Sequence, residues 1–254
     1  MTVKVGILSG KGGVGKTSTA VNMAAALSYF GRDVVVVDGN LSTPNVGLHL
    51  GVPVVPITLH DVLKGKNSLL DSVYLHHSGL KIIPAGLSLQ DLRDVSPERM
   101  KRVLPSLDGL TDVVIVDGAA GLGRETLGVM QAVDELIIVT NAELPAVTDA
   151  LKTIRLAEEM GKKVKGVVIA KSGENHDIPS ENIEGLLEKP ILGEIPYDKS
   201  VRESMIKRLP VVFSHPKSKS AIAYKQLVAD LTGIEYNEKV EGKFYSLFRR
   251  LSGR

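Results

Sequence analysis

The chain has 254 residues, 43% of them hydrophobic and 24% charged, with 25 Gly, 12 Pro, no Cys and no Trp. That length suits one large α/β domain or two small ones with a well-filled core, and the missing cysteine excludes a disulfide scaffold, a thiolate zinc site and a cysteine-held iron–sulfur cluster. The net charge of +2 is uneven: residues 242–254 hold Lys243, Arg249, Arg250 and Arg254 and no acid, which leaves residues 1–241 at −2 and argues against a broadly cationic nucleic-acid binder.

Apolar runs at Val3–Leu8, Val34–Val37, Lys81–Pro84, Val113–Val116, Leu136–Thr140, Val164–Ala170 and Ile191–Ile195 read as strands, several of them Val/Ile/Leu runs without polar alternation. Such runs suit strands of a parallel sheet covered on both faces. Helical patterns fall between them at Lys16–Tyr29, Pro97–Leu107, Pro145–Met160, Ser200–Arg208 and Ser218–Thr232. The alternation predicts a single-domain α/β fold over residues 1–234: a doubly wound, mostly parallel sheet with helices on both faces, followed by a linker and tail at 235–254. Ligands of such sheets bind beyond the carboxyl ends of the strands. No apolar run approaches the length of a bilayer span, and Lys4 interrupts the N-terminal apolar stretch, so the expectation is a cytosolic chain without a signal peptide.

The sharpest motif is Gly10-Lys11-Gly12-Gly13-Val14-Gly15-Lys16-Thr17, which matches G-x-x-x-x-G-K-S/T between a predicted strand and a predicted helix. Glycines let the backbone turn its N–H groups onto a phosphate, and the helix N-terminus adds a positive field. Lys16 is placed to reach the β and γ phosphates and the Thr17 hydroxyl to ligate magnesium, with Ser18 next in the same nucleotide-binding set. Asp38 and Asp117 close two apolar runs on the edge where this loop sits, which makes them candidate magnesium ligands with Thr17; the alternative is that each merely caps a turn.

With its second lysine, Lys11, the loop reads KGGVGKT, and here the chain resembles the MinD/ParA family of deviant Walker A P-loop ATPases, its MinD branch most of all. The resemblance spans nearly the whole chain. Asp38 to Leu48 is similar to the family's switch I, Asp117 to Gly123 to its switch II, Thr140-Asn141-Ala142-Glu143 with Val147 to Lys152 to a further family segment, and Ile195-Pro196-Tyr197-Asp198 to the loop that packs the adenine. The resemblance implies ATP and ADP with Mg2+ as ligands, Lys11 and Lys16 as catalytic residues, and an ATP-dependent homodimer in which Lys11 crosses to the partner's phosphates. The alternative for Lys11 is a loop lysine that offsets phosphate charge within its own subunit.

Three departures bear on chemistry. Asn40 stands where the family has a second acidic residue that orients the attacking water; an amide holds a water but accepts no proton, so slow turnover with intact binding is expected. Gly118-Ala119-Ala120 lacks the family's proline, which predicts a looser switch II. Ala170-Lys171 replaces an Asn-Arg pair at the base, leaving Lys171, Pro196 and Asp198 as the candidate base-side residues and base selectivity open.

Near the C-terminus Phe244, Leu247, Phe248 and Leu251 share one helical stripe among basic residues, the pattern of a helix lying in a membrane interface. Four such side chains contribute at most ~1.5–3 kcal/mol each before ordering costs, so one tail is marginal and two on a dimer gain from effective concentration. The alternative is a terminal helix that packs on its own domain or on a protein partner. The expectation is thus a MinD-like ATPase, cytoplasmic and peripheral on the inner face of the cell membrane, that positions a regulator or cargo protein in cell division or a similar role. A ParA-type segregation ATPase, a flagellar-number regulator and a hydrolysis-deficient ATP-dependent scaffold remain as alternatives; an iron–sulfur carrier is excluded by the absent cysteine. His76-His77 and the polar stretch 172–177 read as surface.

Overall fold

The computed structural model describes residues 2–173 and 178–236. Along the chain the elements are β1 (Val3–Ser9), α1 (Lys16–Tyr29), β2 (Val34–Asp38), α2 (Val46–His49), α3 (Leu59–Leu63), β3 (Tyr74–Leu75), β4 (Lys81–Ile83), α4 (Met100–Val103), β5 (Val113–Ala120), α5 (Arg124–Ala132), β6 (Glu135–Thr140), α6 (Leu144–Glu159), β7 (Lys163–Ser172), α7 (Ser180–Leu187), β8 (Ile191–Pro196), α8 (Lys199–Ile206), α9 (Val211–Ser214) and α10 (Lys219–Thr232).

The strands form one eight-stranded sheet in the order β3-β4-β2-β5-β1-β6-β7-β8, parallel throughout except for the short β3 at one edge. The doubly wound α/β reading holds. Successive residues of each strand face opposite ways, so a run with no polar residue must be covered twice. Val35 and Val37 enter a core with Leu8, Val116 and Ile138, roofed by Met130 of α5 and Ile154 of α6. Val34 and Val36 enter the opposite core with Ile7, Ile115 and Ile137, roofed by Ala24 of α1 and Leu227 of α10.

Several expectations change. The predicted helix Pro97–Leu107 is broken into a 3-10 turn at Pro97–Arg99, the short α4 and a second 3-10 turn at Leu104–Leu107. Pro105 supplies no N–H to continue an α-helical ladder, although the apolar spacing imitates one. The strand at Val113–Val116 continues to Ala120, where Ala120 pairs with Ser9, so Asp117 lies inside β5 and Gly118-Ala119-Ala120 is sheet rather than loosened loop. His76 is buried rather than on the surface: its Nε2 lies 2.9 Å from the Leu50 carbonyl oxygen and its Nδ1 2.7 Å from Ser78 Oγ. Residues 174–177 of the polar stretch lie outside the described residues, as does the tail from residue 237 onward. Among the described residues no helix is long and apolar enough to cross a membrane.

Ile137 in central β6 is 1% exposed. Ile137→Ala leaves a cavity there, and urea unfolding is expected to show a loss of about 2–5 kcal/mol with little change in the denaturant slope.

Candidate functional site

The chain turns from β1 into α1 through residues 10–15, and close packing sets the residue types of that loop. A side chain on Gly10 would place its Cβ 2.2 Å from the Asp149 carbonyl oxygen, and Gly15 has a φ of 104° before the first turn of α1. Only glycine meets both demands, and the loop is thereby pressed against α6 with the α1 N-terminus opening above it.

The sheet register puts Asp38 beside Asp117, with Ile7 of β1 level on the other side of β5. Both carboxylates are fully buried. Lys16 Nζ lies 2.9 Å from Asp117 Oδ1, and the Thr17 hydroxyl donates to Asp117 Oδ2 at 2.5 Å. Asp38 accepts from the backbone N–H groups of Asn45 and Val46, each at 2.9 Å, and of Asn40 at 3.3 Å. Burial, with the charge of Asp117 next to it, pushes the Asp38 carboxyl up to about 8 against those three N–H donors. Two buried carboxyls and a hydroxyl form an all-oxygen set in which Lys16 offsets one negative charge. A hard divalent cation such as Mg2+ fits that set, held by Thr17, Asp38 and Asp117.

Switch I closes on itself. Asn40 is 6% exposed; its amide Nδ2 donates to the Thr43 carbonyl at 2.6 Å and its Oδ1 accepts from the Thr43 hydroxyl at 3.1 Å. The two loop lysines behave oppositely. Lys16 is 8% exposed and points inward, whereas Lys11 is 46% exposed at the rim, with Nζ 3.5 Å from Glu143 Oε2.

From the loop a cleft of about 630 Å³ runs past Ala170 to Pro196, Tyr197 and Arg202. The loop residues Gly12, Gly13, Gly15, Lys16, Thr17 and Ser18 line it together with Asn40, Lys171, Pro196 and Asp198. The base-side residues are tied to the fold in ways their spacing does not show. Lys171, at a φ of 58°, donates from Nζ to the Gly13 carbonyl at 2.7 Å and so braces the phosphate loop. Asp198 caps α8 through the Ser200 N–H at 2.8 Å and also accepts from the Ser220 N–H and hydroxyl at the start of α10. Burial alone would raise this carboxyl, but these donors outweigh it and hold it below its ordinary value. Asn141 Nδ2 donates to the Ala170 and Val14 carbonyls, joining β7 to the loop. His49 also lines the cleft, 3.3 Å from the Ser18 hydroxyl, and motif reading missed it because the switch I pattern stops one residue earlier. Phe244, Leu247, Phe248 and Leu251 lie outside the described residues.

Residues 5–211 match the model of the CobQ/CobB/MinD/ParA nucleotide binding domain. The chain belongs to this family. It is 36% identical to an uncharacterized ATP-binding protein of Methanocaldococcus jannaschii over 96% of this chain and 92% of the relative. It is 32% identical to the antiactivator FleN of Pseudomonas aeruginosa over 87% of this chain and 83% of that protein. Among solved structures, the septum site-determining protein MinD of Pyrococcus horikoshii, complexed with Mg-ADP, superposes with a TM-score of 0.87 at 35% identity, covering 91% of this chain and 96% of that one. The MinD/ParA resemblance and the nucleotide-binding P-loop reading are therefore established, and with them an ATPase family.

Because Asp38 keeps its proton in the folded, ligand-free protein and loses it near 4 when unfolded, the stability this residue contributes falls as pH rises from about 4 to about 8. Asp38→Asn should flatten that fall and raise the melting temperature of the ligand-free protein at pH 8, read by calorimetry without nucleotide or magnesium.

Proposed function

We propose that the protein is an ATP-driven association switch. Two copies, each holding ATP and Mg2+, meet on their phosphate-loop faces, with Lys11 of each reaching the other's phosphates. The paired tails then bind an anionic membrane surface, and slow hydrolysis releases the dimer. In this way a regulator or cargo protein is positioned on the cytoplasmic face of the membrane, in cell division or a related task. The observation that carries the reading is the division of labour within one loop. Lys16 is spent inside its own subunit on Asp117, while Lys11 stands at the rim with an exposed carboxylate for a partner. An outward lysine beside a phosphate site suits charge supplied across an interface.

Within this reading Thr17, Asp38 and Asp117 hold the metal, Gly10 to Ser18 wrap the phosphates, and Pro196 packs the base with Lys171 and Asp198 shaping its pocket. Asn40, its side chain fixed at both ends by Thr43, positions water with its remaining donor and lone pair and, being an amide, accepts no proton. Hydrolysis by this fold is mainly positioning and electrostatics, so turnover slows while binding persists. Similarity to FleN supports a second reading, an antiactivator that uses the same nucleotide-dependent pairing to hold a protein partner.

Light scattering with a slowly hydrolysed ATP analogue and Mg2+ should show dimers of the unmodified chain and monomers of Lys11→Ala, with nucleotide binding retained. A monomer from the unmodified chain at saturating nucleotide would remove the scheme. Asn40→Asp is expected to raise phosphate release by about tenfold, equivalent to ~1.4 kcal/mol of barrier. Co-sedimentation with anionic vesicles should be stronger with the ATP analogue than with ADP, and should vanish for a chain ending at Glu241.

A further inference from the structure

His49 sits at the end of α2 and connects switch I to the first turn of α1. Its Nδ1 lies 3.1 Å from the Asn45 carbonyl oxygen and its Nε2 lies 3.3 Å from Ser18 Oγ. A carbonyl only accepts, so Nδ1 carries a hydrogen; in the neutral ring Nε2 is then a bare lone pair, and Ser18 has to spend its O–H on it. Burial keeps the ring neutral by lowering its pKa, partly opposed by the Asn45 bond and by Asp117. The charged groups facing the ring are Asp117 of β5 and Lys16 of α1, with Arg202 of α8 lining the same cleft.

In that state the Ser18 oxygen offers only lone pairs to the cleft, at the helix end where a phosphate would lie. A phosphate oxygen there needs a hydrogen-bond donor. If Ser18 simply turns its O–H to the phosphate, two lone pairs, on Nε2 and Oγ, are left facing each other in a half-buried pocket. If the ring gains a proton, Nε2–H donates to Ser18 Oγ, the Ser18 O–H donates to the phosphate, and Nδ1–H keeps its bond to Asn45. The added positive charge also stands next to the incoming negative one.

We infer that His49 takes up a proton from solvent at Nε2 when a nucleotide enters, completing a relay from phosphate through Ser18 and His49 to Asn45. This rests on the nucleotide-site reading above. The relay ends on the residue whose own N–H holds Asp38, and the charge gained by the ring strengthens the Nδ1–H bond to Asn45 that is already in place. His49 acts as a positioning residue through Ser18 and needs no contact with the nucleotide.

The test is calorimetric titration of ADP into the full chain with magnesium chelated, in two buffers of different ionisation enthalpy, so that protons taken up on binding are counted. Omitting magnesium keeps Asp38 from contributing a metal-linked proton of its own. The unmodified protein is expected to take up several tenths of a proton more than His49→Gln at pH 7.5. Its affinity should fall about three- to tenfold more than that of the variant between pH 6 and pH 8. Ser18→Ala keeps the ring and removes the hydroxyl, and should lose the same extra proton; it guards against an effect of the histidine substitution on folding. Equal proton counts in all three proteins would overturn the inference while leaving the nucleotide site standing. No binding of ADP by the unmodified chain would overturn both.

Discussion

The site is organised around two carboxylates forced side by side inside the sheet. Asp38 and Asp117 occupy paired positions on β2 and β5, where no water is available to solvate them. Everything near them offsets that cost: the ammonium of Lys16, the hydroxyl of Thr17 and three N–H groups of the following loop. Two buried carboxyls this close are tolerated with one of them neutral: Asp38 keeps its proton while Asp117 is paired with Lys16. The first turn of α1 is fastened to Asp117 and the loop after β2 to Asp38, so the pair ties two loops to the centre of the sheet.

That arrangement also explains how the loop after β2 is built. The backbone at 45 and 46 serves Asp38, the side chain of Asn40 serves the carbonyl of Thr43, and Ser42 donates to Glu125 at the start of α5. Switch I is thus tied both to the metal-binding end of the sheet and to the helix after switch II.

The central strands were readable because they lack alternation, and the valines of β2 divide between two cores as that pattern demands. The phosphate loop was equally plain, since its spacing is fixed by local demands such as the close approach at Gly10 and the left-handed backbone at Gly15. Elements set by distant partners were not. Gly118-Ala119-Ala120 has little preference for a strand and becomes one by pairing with Ser9, while Met100, Leu104 and Leu107 imitate a helix that Pro105 breaks. Four- and five-residue helices such as α2 and α9 are too short to show a period, although Thr58 and Asp61 form a capping box that marks the start of α3. Lys171 lines the cleft as its position suggested, but its hydrogen bond to the Gly13 carbonyl, which braces the phosphate loop, has no mark in the sequence. His49 meets Ser18 across 31 residues of sequence, a distance no local motif spans.

The last described turn carries a geometrical consequence. Tyr236 packs edge-on against Phe30 with ring centroids 5.8 Å apart, and the Lys225 ammonium lies over the rings of both Tyr29 and Tyr236. Phe30 closes the 14-residue α1, so this cluster stands roughly 21 Å, at 1.5 Å per residue, from the phosphate loop at the helix's other end. Whatever follows Tyr236 therefore sets out beside the far end of α1, away from the phosphate loop. A single rod, α1, joins the two places: its first residue, Lys16, is held by Asp117 and its cap, Phe30, by Tyr236.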